Sequence, residues 1–149
     1  MVKLSMPIGL LLESAIASGV SGERLLEVIR TREYEALQHV GKEESSWTYF
    51  FEFAEQNWET VVSAITTGYT FKFITIRGLL NLIQTKYKLK ENEDFLMNES
   101  GIDMKLSDEQ LDFLRSRIPS QWVFKKQEQK QYDVQAFLAQ TTQRVCRQD

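Results

Sequence analysis

A single seam of large apolar side chains restricts the fold of this chain more than any other feature. Starting at Trp47, the sequence places Phe51, Ala54, Trp58, Val61 and Ile65 at successive spacings of four, three, four, three and four. At about 100° per residue these positions line one side of a helix, with Phe50 and Val62 flanking the stripe. The seam is predicted to be core, because leaving side chains of this size in water forfeits roughly 1.5–3 kcal/mol each. Glu52, Glu55 and Glu59 mark the solvent side. Ser45 or Ser46 caps the start, and Gly68 stops a helix predicted to run to about Thr67.

Tyr49 and Phe53 do not belong to that seam. They stand one turn apart, with Thr60 and Ala64 continuing their line, and so define a second, narrower face. A central helix sandwiched between neighbours would cover it; otherwise it is a patch for a partner protein or a second subunit. Tyr49 and Phe53 are therefore candidate interaction residues.

Elsewhere, too, the helix boundaries are signposted. Pro7 suits the first turn of a helix to about Ser18, with Ile8, Leu11, Leu12, Ala15 and Ile16 on one side and Gly19 at its end. Ser21 caps a second helix through about Val40, closed by Gly41, with Leu25, Leu26, Ile29, Ala36, Leu37 and Val40 inward. After Gly68, "YTFKFITI" reads as an extended connection or short strand at 69–74. Thr75 then caps a helix over about 76–89 whose apolar face is Ile76, Leu79, Leu80, Ile83 and Tyr87.

Residues 91–105 lack a sustained period and read as an acidic loop, with at most a turn of helix around Phe95 to Met97. Ser107 followed by Gln110 is a capping-box pattern for a helix from Asp108 to about Ile118, ended before Pro119. The stretch near 122–137 reads either as a small hairpin or as a loop followed by a last helix from Asp133, carrying Val134, Phe137, Leu138 and Val145. The helix is favoured, because two strands alone would be marginal.

The expectation is thus an all-α fold, a single compact bundle of five or six helices forming one domain over 1–149. Seven Gly and two Pro among 149 residues support it by leaving few helix breakers. The only cysteine, Cys146, excludes an intramolecular disulfide and a thiolate-built metal site, and fits a reducing, cytoplasmic setting. The opening "MVKLSMPIGLLLESAIASG" loosely mimics a signal peptide, but Pro7, Gly9 and Glu13 interrupt its apolar run and it reads as a structured first helix. No run of about 18 apolar residues suggests a membrane span.

The net charge of −3 conceals segregation. Residues 1–59 carry net −5, residues 60–90 hold five bases and no acid, 91–112 carry net −7 and 113–149 net +4. On the 76–89 helix, Arg77, Asn81, Gln84 and Lys88 recur at four, three and four, a stripe of two cations and two amides opposite the apolar face. Such a stripe can meet phosphate or an acidic protein partner, although solubility alone calls for charge there. The overall acidity argues against non-specific DNA binding.

Chemistry is hard to locate. His39 is the only histidine, and near a helix end it suits the dipole better than a metal. Neither a Cys/His nor a Ser/His/Asp set is in view, and the acid pairs Glu43 with Glu44, Glu52 with Glu55, and Asp108 with Glu109 fall among solvated or helix-start positions. Phosphate-cradling glycine loops are absent. The expectation is no enzyme, no cofactor and no metal.

Within "LLESAIASGVSGERLLEVI", Ala15, Gly19, Val20, Leu25 and Val28 fall at spacings that resemble a DNA-binding helix-turn-helix. The resemblance covers about twenty residues and implies a transcriptional regulator reading DNA through residues 11–30. It departs from the pattern at Ser14 and Ser18, and Glu23, Glu27, Glu33 and Glu35 oppose Arg24, Arg30 and Arg32 on the second helix. The favoured expectation is a small non-enzymatic regulatory or adaptor protein that binds another protein or itself, using Tyr49, Phe53, Arg77, Asn81, Gln84 and Lys88.

Overall fold

Short-range side-chain hydrogen bonds mark where three of the seven helices among the described residues begin. A computed structural model describes residues 1–99, 101–128 and 131–139. In chain order the elements are β1 (Val2–Leu4), α1 (Met6–Ala17), α2 (Gly22–Thr31), a 3-10 segment (Tyr34–Val40), α3 (Glu44–Gln56), α4 (Trp58–Thr66), β2 (Tyr69–Phe71), α5 (Ile76–Tyr87), β3 (Phe95–Asn98), β4 (Gly101–Met104), α6 (Asp108–Arg117), β5 (Trp122–Lys126) and β6 (Val134–Leu138). Ser21 Oγ accepts from the Arg24 N–H at 3.1 Å and Thr75 Oγ1 from the Gly78 N–H at 3.0 Å. Ser107 and Gln110 close both bonds of the capping box.

The all-α bundle is overturned. Among the described residues there are seven helices, counting the 3-10 segment, and six strands in two sheets, which makes the protein mixed α/β. β1 and β2 pair in parallel, Val2 opposite Tyr69 and Leu4 opposite Phe71. The other sheet is antiparallel, ordered β3-β4-β6-β5. The acidic loop expected at 91–105 is the β3–β4 hairpin, and the helix favoured from Asp133 is instead strand β6, paired with β5. Val145 and Cys146 lie outside the described residues. These strands span three to five residues, so none shows a long alternation, and three of the four β3 residues are exposed.

Two helices end earlier than their periodicity suggests. Arg32 takes a left-handed conformation (φ 57°, ψ 42°), and the Glu33 N–H closes on the Val28 carbonyl at 3.1 Å, a helix-terminating motif normally marked by glycine. Asn57 (φ −136°, ψ 45°) separates α3 from α4, its side chain donating to the Phe53 carbonyl at 3.0 Å. The seam is reset there. Trp47, Phe50, Phe51, Ala54 and Val61 are buried, whereas Trp58 and Ile65 are only half-buried and Ala64 turns into the core.

The strand pairing aligns two strand-then-helix units, β1–α1 and β2–α5. Met6 packs against Gly78 near both helix starts and Glu13 bonds Lys86 further along, so α1 and α5 run side by side in the same direction. A ring carbon of Phe71 would meet any Cβ at Gly9, which explains a glycine inside α1. The Trp122 indole donates to the Ile74 carbonyl at 2.9 Å and joins the four-stranded sheet to this unit. Buried side chains from Leu4 to Ala136 form one continuous core.

Candidate functional site

Helix α3 presents the expected second face, in a narrower form. Tyr49 is 49% exposed, while Phe53 is half-buried and packs on the core. Because α4 starts afresh after Asn57, the line does not continue through Thr60 to Ala64, which is buried. Tyr49 stands between two hollows. One, about 410 Å³, is formed with Pro7, Leu10 and Leu11 of α1 and with Lys42, Ser45 and Ser46. The other, about 560 Å³, includes Arg32, Glu52, Phe53, Glu55, Gln56 and Asn57. An Arg32–Glu55 ion pair bounds the second hollow and borders a third, about 360 Å³, reaching Trp58.

The cation and amide stripe lies apart from this face. None of Arg77, Asn81, Gln84 or Lys88 lines either of the hollows beside Tyr49. Arg77, Gln84 and Lys88 are exposed, and Asn81 is half-buried with its Oδ1 accepting from Thr85 Oγ1 at 3.0 Å. Lys88 sits past the helix end in a left-handed conformation, φ 57°. The six residues therefore divide into two surfaces.

Sequence reasoning treated Glu13 only as an interruption, and the structure makes it the centre of a buried polar node. Glu13 is 3% exposed. Its carboxylate accepts from the Tyr69 hydroxyl at 2.5 Å and from Lys86 Nζ at 3.0 Å. Lys86 and Arg117 both lie over the Phe113 ring, at 4.3 and 4.8 Å from its centroid, and Arg117 also lies over Tyr69 at 5.4 Å. Burial, reinforced by the Glu13 charge, holds the Tyr69 hydroxyl far above the ordinary phenol range. Burial and the same charge push Tyr87 up to about 12. A phenol that keeps its proton this firmly donates a hydrogen bond and is not a base, so the node reads as a tie between α1, β2, α5 and α6. The signal for it was present: α1 is apolar nearly all round, and a lone carboxylate in such a helix needs a partner.

Among the described residues, no group of three or more His, Cys, Asp or Glu side chains could hold a metal ion. Among them too, no helix is long and apolar enough to cross a membrane. His39 is exposed in the 3-10 segment. The chain matches no protein-family profile, no curated protein and no solved structure.

Proposed function

We propose that this chain is a small non-enzymatic regulatory or adaptor protein of the cytoplasm that binds another protein through the outer face of α3. The observation that carries the reading is Tyr49, a large aromatic held at the surface between two hollows. Interfaces are enriched in such residues, and a flanking pocket lets a partner surround the ring and exclude water. The DNA-binding alternative has less support, because Arg24 is paired with Glu27 and Glu33 and Arg32 with Glu55, which neutralises much of the cationic charge near residues 11–30. Capture from native lysate with Tyr49→Ala beside the unaltered protein tests the proposal. Loss of a specific partner with an unchanged melting temperature supports it. Retention of every specific partner removes α3 from the account.

A further inference from the structure

A second surface differs in charge from the α3 face. It lies where β1 and β2 end and α1 and α5 begin. The two helices start side by side and run in the same direction, so their positive dipole ends coincide, and neither carries an acid in its first turn. Helices α2, α3 and α4 each have one there and α6 has two. Exposed Lys72 and Phe73 occupy the loop after β2, exposed Arg77 the first turn of α5, and exposed Lys3 is on β1 opposite Thr70. Phe73 is 49% exposed in this setting. No acid of the described residues forms an ion pair with Lys72, Arg77 or Lys3, and residues 60–90 contain no acid at all.

From this arrangement we infer that the corner formed by Lys72, Phe73 and Arg77 docks an acidic segment of a protein partner bearing an apolar anchor. Cations and two coincident helix dipoles favour carboxylates, while Phe73 supplies an apolar contact between them. Acids absent from both helix starts would come from the partner. The inference extends the adaptor reading by adding a second contact surface, and its test is separable from that of α3.

The experiment uses fluorescence anisotropy with a labelled Asp/Glu-rich peptide carrying one Trp. A Lys/Arg-rich peptide of the same length and a single-stranded oligonucleotide are titrated beside it. Saturable binding of the acidic peptide, weakened about tenfold or more by Lys72→Ala/Arg77→Ala and by raised salt but unaffected by Lys125→Ala at an exposed position on β5, is the expected result. No saturable binding overturns the inference, as does binding indifferent to Lys72→Ala/Arg77→Ala. Tighter binding of the oligonucleotide through the same residues also overturns it, and assigns the corner to nucleic acid. Concentration-dependent self-association abolished by Lys72→Ala/Arg77→Ala overturns it in favour of a second copy as the occupant. If these variants leave the acidic peptide bound while Tyr49→Ala abolishes partner capture, the α3 reading stands without this one.

Discussion

Glu13 with Lys86 and Glu55 with Arg32 are the same pairing of a carboxylate and a cation beside aromatic rings, in opposite surroundings. The Glu13 side chain is 4% exposed and that of Lys86 23%, against 66% for Glu55 and 47% for Arg32. The buried pair carries the desolvation cost of its charges, so removing one member strands the other. The surface pair competes with water and ordinary salt. The contrast teaches that charge in this protein secures the fold where α1 meets α5, and contributes little to stability at the outer face of α3.

Each side of that contrast can be broken separately. Lys86→Ala, which leaves Glu13 buried without its cation, is expected to cost about 3–5 kcal/mol in urea unfolding. Trp47→Ala, on the buried side of α3, should cost a similar ~3–5 kcal/mol. If Lys86→Ala proves far cheaper, water reaches the node and the contrast fails. Alkali provides an independent probe. Tyr69 and Tyr87 have folded-state values above that of the unfolded phenol, so their contribution is complete below about pH 10 and is lost as pH rises through the folded values. Unfolding midpoints should fall from about pH 10 upward, and Tyr69→Phe/Tyr87→Phe should flatten that fall. Arg32→Ala should change stability by only about 0–1 kcal/mol. Tyr49→Ala is expected to move it least, within about 0.5 kcal/mol, while partner capture is lost.

The legible parts of this fold were those decided within a few residues. Ser21, Thr75 and the Ser107–Gln110 box announce helix starts because each side chain bonds a backbone group three positions away. Two of the strand pairings join distant segments: Val2 with Tyr69, and Ile102 with Ala136. Nothing in "MVKL" or "GIDM" encodes those partners locally. Arg32 and Lys88 close helices in the left-handed conformation without glycine, so their turns carried no signal either. Of the candidate site, Tyr49 was identifiable from helical projection. The break at Asn57 was not, and it took Ala64 from the face and placed it in the core.

The four-stranded sheet has guarded margins. The Phe124 carbonyl on β5 is taken by Arg115 at 2.7 Å, and the Phe95 carbonyl on β3 by the Asn92 N–H at 2.7 Å. Exposed Leu96 and Met97 thus follow an edge residue, Phe95, whose N–H and carbonyl are already bonded within the chain.

The parallel alignment of α1 with α5 also sets a timetable for synthesis. Glu13 is made long before the residues that neutralise and bury it, Tyr69 and Lys86. At about 5–20 residues per second, the ribosome needs roughly 4–15 s to travel from one to the other. For that interval, the apolar first helix has no β2 or α5 to lie against. The N-terminal region of the nascent chain is therefore expected to be the part most in need of a chaperone, and the first to aggregate when translation stalls before α5 emerges.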